Sequence, residues 1–323
     1  MKAISAAGLL LAALFLPVFP QAGAQEYPSR PIRMIVPWPP GGITDVIARG
    51  LAAALAESLG QQVVIDNRPG AAGTLGVAIV AKALPDGYTL LMHDVPSHAI
   101  SASLYTKLPY DPMKDIEPIA LSARSPLVLV VYPRLEINSI LRLIDYAKAR
   151  PGQLAFASSG PGSITHLTSE RFKRDAGVNL LHVPYKGGAP ATAAIVAGES
   201  GMGFACISAA LPHVKSERLA LLGVTSMKRS ALFPDVPAVA EIITGFEMGC
   251  NTGFFAPGGT PRRIIGRLHA EAMKAAEQPR MKHLLATNSA EAASFTEAEF
   301  KAYVAKEVHD WGEIVRGAGL KVD

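Results

Sequence analysis

The sequence predicts an α/β protein of two similar lobes, and three observations support this prediction. Short apolar runs rich in β-branched residues alternate with segments whose apolar residues recur at helical spacing. Loops rich in Gly, Ser, Asn and Pro follow the apolar runs. The same order of strand, loop and helix occurs on both sides of a turn-rich segment at residues 109–112. Repeated units of this kind build mostly parallel sheets that are covered by helices.

The first unit has the clearest pattern. A predicted strand at residues 32–36 leads into PWPPGGITD at residues 37–45, and a helical pattern then runs from Ile47 to Leu59, before Gly60. Gly41 and Gly42 let the backbone approach a guest closely, and the free amides of the first helical turn form a site for an anion. An ordinary strand-to-helix turn also uses a Gly-Gly pair, so both interpretations of the loop stay open.

Thr44 and Asp45 are the candidate caps of that helix, because their side-chain oxygens can accept from its first amides.

The amino terminus has the pattern of a secretory signal peptide. Lys2 precedes an uncharged run at residues 3–24, which Pro17 and Pro20 interrupt and which ends in the small-x-small sequence Ala22-Gly23-Ala24. We expect cleavage near Ala24, a mature chain of 299 residues (323 minus 24), and a periplasmic location. No later run is long and apolar enough to suggest a membrane span.

Composition excludes several classes of protein. The chain is 49% hydrophobic and 18% charged, with a formal charge of +4, and it has no clustered basic stripe that would indicate nucleic-acid binding. Its two cysteines, Cys206 and Cys250, form no zinc motif, and no nucleotide-binding glycine motif occurs, so we expect no cofactor, no metal and no nucleic-acid partner. In an oxidising compartment the two cysteines can form a disulfide or remain two separate buried thiols.

Two more strands complete the first lobe. They lie at residues 62–66 and 89–93, and each leads into a polar loop, at residues 67–74 and 94–101. Parallel strands end at one edge of a sheet, which is where open α/β folds bind ligands. Asp66 and Arg68 are either a ligand pair at this edge or a surface ion pair, and the surface ion pair is the favoured interpretation.

The second lobe repeats this order. Its strands are predicted at residues 127–131, 154–157, 179–183 and 201–205, and polar loops at residues 158–166 and 184–190 precede helices. Two lobes whose loop-bearing edges face each other across a cleft have the geometry of a protein that closes on a small solute.

A hydrolase is the main competing interpretation, since Ser, His and Asp all occur in the loops. The nucleophile elbow Gly-x-Ser-x-Gly is absent, however, because Ser158 and Ser159 precede Gly160 and Ser163 follows Gly162. His166 lies one helical turn after Ser163, where a packing or hydrogen-bonding role is favoured over that of a general base.

Seven segments together resemble the solute-binding receptors of tripartite tricarboxylate transporters, often called the Bug family. They are YPSRPIR (27–33), PWPPGG with Thr44-Asp45 (37–45), NRPGA (67–71), PDGYTL (85–90), KLPYD (107–111), HVPYKG (182–187) and FPDVP (233–237). The resemblance implies a two-lobed type II periplasmic-binding-protein fold with a ligand cleft between the lobes. It also implies a monomer without catalytic activity that captures a small carboxylate for a membrane permease.

The resemblance also implies which residues bind the solute. In the family, backbone amides, hydroxyl groups and ordered waters of the cleft loops hold it. At the matching positions stand Trp38, Gly41, Gly42, Thr44, Ser97, His98, Ser158, Ser159, Gly160, Ser163, His166, Tyr185, Gly187 and Cys206. Cys206 follows Ala205 where the family usually has an Asp that selects an amino or hydroxyl group, so an amino-acid ligand is disfavoured.

We therefore expect a mono- or dicarboxylate with its body against Trp38. One carboxylate should lie on the amides around Gly41 and Gly42, and the hydroxyls of Ser158, Ser159 and Ser163 should meet the other end. A ligand-dependent receptor for a sensor kinase, a hydrolase or isomerase on the same scaffold, and a receptor without its own permease remain as alternatives.

The carboxyl-terminal part should complete the first lobe. We expect a strand at residues 252–256, a helix that starts near Pro261, and a last helix at residues 297–316 on which Tyr303 and Trp311 pack. The predicted lobes are then residues 26–124 with 228–323, and residues 125–227.

Overall fold

A computed structural model describes residues 27–230, 232–317 and 321, so the predicted signal peptide lies outside the described residues. No helix within these ranges is both long and apolar enough to cross a membrane. The strands are β1 (Ile32–Val36), β2 (Val63–Asn67), β3 (Thr89–Asp94), β4 (Ile116–Ala123), β5 (Leu127–Val131), β6 (Ala155–Ser158), β7 (Leu181–Pro184), β8 (Met202–Cys206), β9 (Ala220–Val224) and β10 (Thr252–Pro257). The helices are α1 (Ile43–Leu59), α2 (Thr74–Ala81), α3 (Val95–Leu104), α4 (Ile140–Ala149), α5 (Ile164–Ala176), α6 (Gly188–Ala197), α7 (Ile207–Lys215), α8 (Arg262–Glu277), α9 (Pro279–Thr287) and α10 (Glu297–Gly317).

The strands form two five-stranded sheets of matching topology. The first has the order β2-β1-β3-β10-β4 and the second has the order β7-β6-β8-β5-β9. In each sheet the first three strands are parallel, and the fourth is antiparallel to both of its neighbours. This arrangement confirms the predicted two-lobed α/β fold.

Both faces of each sheet are covered, which explains the nearly continuous apolar strands. In β1, Ile32, Met34 and Val36 pack with α1 and α8 on one face, while Ile35 belongs to the core on the other face. In β5, Leu127 and Leu129 likewise face one core and Val128 the other.

One predicted loop is a helix. Residues 94–101 were expected to be irregular, but α3 starts at Val95, because Asp94 accepts a hydrogen bond from the amide of Ser97 and Pro96 occupies the first turn. Both features favour a helix start. Helical geometry therefore determines which way the side chains of residues 95–104 point.

Two paired crossing segments join the lobes. Residues 124–126 lead from β4 to β5, and residues 249–251 lead back to β10. The amide of Cys250 donates to the carbonyl of Ser125 at 2.7 Å, and Pro126 forms an antiparallel bridge with Gly249. Thr225, which is fully buried, accepts a hydrogen bond from the amide of Leu127 at 2.8 Å and donates to the carbonyl of Met248.

The return to the first lobe lies later than the predicted residue 228. Ala238 bridges to Val224, and Val239, Phe246 and Met248 pack in the second-lobe core. We therefore place the boundary near residue 249. The sequence did not indicate this later boundary, because the segment between β9 and β10 forms no strand that would assign it to the second lobe.

Helices of the first lobe also contact the second lobe. Leu104 of α3 and Trp311 of α10 pack in one cluster with Phe156 and Leu167 of the second lobe. Trp311 is therefore a packing residue. Tyr303 accepts a hydrogen bond from Asn251 of the crossing segment at 2.7 Å, so α10 contacts the crossing segment as well.

Candidate functional site

Five helices begin at the loop-bearing edges of the two sheets. Because β1 and β3 are parallel neighbours, as are β7, β6 and β8, the loops after these strands gather at one edge of each sheet. The residues that precede the helices α1, α3, α5, α6 and α7 are Gly42, Asp94, Ser163, Gly187 and Cys206. The amino-terminal ends of helices carry partial positive charge and unpaired amides, so this region can bind an anion.

Three contacts bring the two edges together. Ile43, the first residue of α1, packs against the cores of both lobes. Gly162 lies so close to α3 that a Cβ atom there would be 2.2 Å from Leu104 Cδ2. The sulfur atoms of Cys206 and Cys250 are 3.1 Å apart where the second lobe meets the crossing segment. The space between these edges is the candidate cleft.

The loop before α1 presents its backbone to the cleft. Gly41 and Gly42 are exposed, and Gly41 has a φ of +86°, a conformation that favours glycine. The first amide to bond within the helix is that of Val46, which donates to Gly42. The amides of Ile43 and Thr44 precede it and have no acceptor within the helix.

Asp45 fixes this loop in place. We expected Thr44 or Asp45 to cap the helix, but the cap position is Gly42, Thr44 is buried in the first turn, and Asp45 instead accepts from the Gly41 amide at 2.9 Å. Burial by itself raises the pKa of the Asp45 carboxyl, but hydrogen bonds from Arg49, Gly41 and Asn67 outweigh burial and lower this pKa. Asp45 is therefore a carboxylate whose charge Arg49 compensates.

Asp94 orients Trp38, a role that the sequence did not suggest to us. Its carboxylate is 5% exposed, and it accepts from the indole Nε1 of Trp38 at 2.8 Å and from the amide of Ser97 at 2.9 Å. The signal in the sequence was the helix-start pattern of an Asp followed by a Pro two residues later. The indole is consequently held at the cleft by a charged hydrogen bond, and the Ser97 amide is already paired.

His98 lies in the core of the first lobe and not in the cleft. It is 1% exposed, its Nε2 donates to the carbonyl of Pro112 at 2.9 Å, and its ring packs beside Phe255. Burial lowers the pKa of His98 to about 4. The expected contact between His98 and the ligand is not supported, because its place on α3 turns the side chain inward.

The serine hydroxyls of the second-lobe loop bond within the loop. Ser158 is fully buried, with its Oγ 2.6 Å from Nε2 of His182. Ser159 Oγ lies 2.8 Å from Thr165 Oγ1, and Ser163 Oγ donates to the carbonyl of Gly160 at 2.7 Å and accepts from the amide of His166. These hydroxyls already have hydrogen-bond partners within the protein, so they shape the loop, and their expected contacts with a ligand stay a prediction.

His166 has a structural role as well. Its Nδ1 accepts from the amide of Gly162 at 3.0 Å, and its ring stacks on His182 with centroids 3.9 Å apart. Burial, with the neighbouring His182, lowers the pKa of His166 to about 4. The contact between Ser158 and His182 is equally unsuited to hydrolysis, because Ser158 has no exposed surface from which to attack a substrate.

Tyr185 points away from the loop edge, whereas Gly187 lies on it. The Tyr185 hydroxyl donates to Glu199 at 3.2 Å, and its ring packs against the core on the outer face of the second sheet. Gly187 has a φ of +118° and precedes α6 without a side-chain cap, so the first amides of α6 are unpaired within the helix. Gly160, with a φ of +122°, shapes the neighbouring turn.

A cavity of about 920 Å³ lies elsewhere, between α10 and the crossing segments. Arg124, Asn251, Met248 and Trp311 are among its lining residues, and none of the expected ligand-binding residues lines it. Among its cationic lining residues, Arg171, Arg229 and Lys306 form ion pairs with Asp175, Glu241 and Asp310. The convergence of helix ends, and not this cavity, therefore identifies the candidate site. No group of His, Cys, Asp or Glu suited to a metal occurs among the described residues.

The Ser163→Ala variant tests whether this hydroxyl serves the loop or the ligand. Loss of the cap of α5 should lower the free energy of unfolding by about 1 kcal/mol, with little change in carboxylate affinity. Ser139→Ala, which removes the cap of α4 outside the cleft, is the matched control. Denaturant unfolding measures the change in the free energy of unfolding, and calorimetry measures the change in carboxylate affinity. A loss of binding in Ser163→Ala alone would show that the hydroxyl contacts the ligand.

His98 should make the fold sensitive to acid. Its folded-state pKa lies below the unfolded value of 6.5, so its contribution to stability is complete above pH 6.5 and is lost as the pH falls toward 4. Between pH 7 and 5 the loss should be about 2 kcal/mol. His98→Gln, whose amide can still donate to Pro112, should remove that part of the pH dependence in denaturant unfolding. The exposed His309→Gln should retain it, and an unchanged slope in His98→Gln would contradict the assignment.

Comparison with known proteins agrees with this architecture. Residues 47–320 match the model of the tripartite tricarboxylate transporter family receptor. Protein BugT of Bordetella pertussis is 38% identical over 303 residues, which are 93% of this chain and 92% of BugT.

Two solved structures from Rhodopseudomonas palustris are similar in fold and sequence. Rpa4515 with adipate superimposes with a TM-score of 0.84 at 33% identity, over 91% of this chain and 99% of that one. MatC with bound malate gives a TM-score of 0.80 at 31% identity, over 90% of this chain and 100% of that one. The chain belongs to the tripartite tricarboxylate transporter family receptors, which are solute-binding proteins and not enzymes.

Proposed function

We propose that this protein is exported to the periplasm, captures a small dicarboxylate between its lobes, and delivers it as a monomer to the membrane permease of a tripartite tricarboxylate-type transporter. The convergence of helix amino termini on the candidate cleft carries this proposal, since no carboxylate caps α1, α5, α6 or α7, whereas Asp94 caps α3. The export step has its support in the signal-peptide pattern of residues 1–24.

Backbone amides on both lobes can hold the two ends of a dicarboxylate. On the first lobe these are the amides that follow Gly42, and on the second lobe those that follow Ser163 and Gly187. The loop segments 37–44 and 158–163 contain no Arg or Lys, whereas Lys186 precedes Gly187 in the loop before α6. At the starts of α1 and α5, amides and helix ends therefore carry the anion, and each charged hydrogen bond contributes on the order of 1.5–3 kcal/mol.

Trp38 suits the body of such a ligand. Its indole nitrogen is occupied by Asp94, so the exposed part of the ring offers an apolar surface at the cleft. The Asp94 carboxylate in turn accepts hydrogen bonds from Trp38 and Ser97, so both of its oxygens are engaged. The similar structures with adipate and with malate support a dicarboxylate as the ligand class.

The ligand class is tested by thermal unfolding and calorimetry of the mature chain. Adipate or malate at a hundredfold excess over its dissociation constant should stabilise the fold by about 2.7 kcal/mol. Adipamide, which keeps the adipate skeleton but lacks both charges, and hexane-1,6-diamine should leave the melting temperature unchanged. A shift with the diamine and none with any carboxylate would refute the proposal.

Gly42→Val tests the place of binding. A Cβ at Gly42 meets only the carbonyl oxygen of Pro39 at 3.8 Å, so the fold should tolerate the valine, which would cover the amides at the start of α1. We expect at least about a tenfold loss of dicarboxylate affinity, or about 1.4 kcal/mol, with little change in the unliganded melting temperature. Gly266→Val in α8 introduces the same side chain outside the cleft and should bind normally. Normal binding by Gly42→Val would place the anion elsewhere.

A further inference from the structure

Cys206 and Cys250 lie in contact although they are 44 positions apart in the sequence. Both are free thiols in the structure, and their sulfur atoms are 3.1 Å apart. A disulfide needs a sulfur–sulfur distance of about 2.0 Å, so closure requires a movement of about 1 Å. A rotation of either side chain with a small backbone adjustment can supply such a movement.

The backbone places the two cysteines side by side. Cys206 pairs with Leu127 at the start of β5, and the amide of Cys250 donates to the carbonyl of Ser125, two residues earlier in the chain than Leu127. The bridge between Pro126 and Gly249 fixes the same register. The proximity of the two thiols therefore follows from strand pairing and not from a chance orientation of side chains.

We propose that Cys206 and Cys250 form an intramolecular disulfide in the mature protein. The inference rests on the proposed export of the chain, because structural disulfides persist in oxidising compartments such as the periplasm. The bond closes a loop that contains β9 and the segment that returns to the first lobe.

The two thiols differ in a way that suits stepwise oxidation. Cys206 is partly exposed and precedes α7, whereas Cys250 is 5% exposed. Because Cys206 is the more exposed thiol, an oxidant reaches it first, and the hydrogen bond between the two thiols, which lowers the pKa of Cys206, favours its thiolate as the attacking group. The oxidant is a disulfide, either a protein dithiol oxidant or oxidised glutathione.

The step balances as a thiol–disulfide exchange. The Cys206 thiolate attacks one sulfur of the oxidant, its disulfide breaks, and one thiolate leaves. The Cys250 thiolate then attacks the sulfur of Cys206 and releases the second thiolate. The two cysteines together lose two electrons and two protons, and the oxidant is reduced to two thiols.

The bond ties the crossing segment to the second lobe at the edge of the candidate cleft. Cys250 immediately precedes Asn251 and β10, while Cys206 precedes α7. With the bond in place, the backbone changes that accompany bending between the lobes would occur at Asn251 and at residues 124–126. Because a disulfide restricts the unfolded chain, reduction should also lower thermal stability.

The first test uses the purified mature chain with oxidised glutathione. After denaturation without reductant, alkylation should modify neither cysteine, and proteolysis should yield a peptide of Cys206 linked to one of Cys250. Two alkylated cysteines after this treatment would overturn the proposal, whatever the compartment. The amino terminus of the exported chain, read by mass spectrometry, tests the export step separately.

The second test compares oxidised and reduced protein in thermal unfolding. Reduction should lower the melting temperature by about 5–10 °C. Reductant should leave the melting temperature of the Cys206→Ser/Cys250→Ser double variant unchanged. An equal melting temperature for the oxidised and reduced wild-type protein would contradict a bond that restricts the chain.

Discussion

The pairing of the two crossing segments is the interaction on which the rest of the structure depends. Residues 124–126 and 249–251 run side by side, and the buried hydroxyl of Thr225 joins Leu127 to Met248 where they enter the second lobe. A valine in place of Thr225 would leave the amide of Leu127 and the carbonyl of Met248 buried without these partners. The cost of burying two unpaired groups would add to the loss of the hydrogen bonds themselves. This pairing aligns the loop edges of the two sheets and brings Cys206 against Cys250.

Much of the fold followed from patterns that depend on local chemistry. Apolar runs gave the strands, and the strand predicted at residues 252–256 lies within β10 (Thr252–Pro257). The segment after β9 could not be assigned in this way. It packs on the second lobe through Val239 and Phe246, but it has no strand periodicity that marks its lobe. The helix α3 was missed because its polar residues interrupt the apolar spacing that indicates a helix. Its signal in the sequence is instead the capping pattern of Asp94 followed by Pro96.

The candidate site was predictable in its backbone and less so in its side chains. Gly41 and Gly187 lie at the loop edges as expected, because their positive φ angles are tied to residue type. Position in a loop does not determine where a side chain points. His98 and His166 are turned into the cores, and the hydroxyls of Ser158 and Ser163 are used by their own loop.

The proposed binding of the ligand by backbone amides has a physical consequence for closure of the cleft. Two fixed cations facing each other across the cleft would repel when it is empty, whereas helix ends carry only partial charges that weaken within about one turn. A dicarboxylate that bonds to the start of α1 at one end and to the start of α5 at the other makes contacts that only the closed arrangement offers. A ligand shifts a conformational equilibrium only by its differential affinity for the two states. A monocarboxylate of the same length presents a charged group to one lobe alone. It should therefore bind, but it should shift the lobes less toward the closed arrangement.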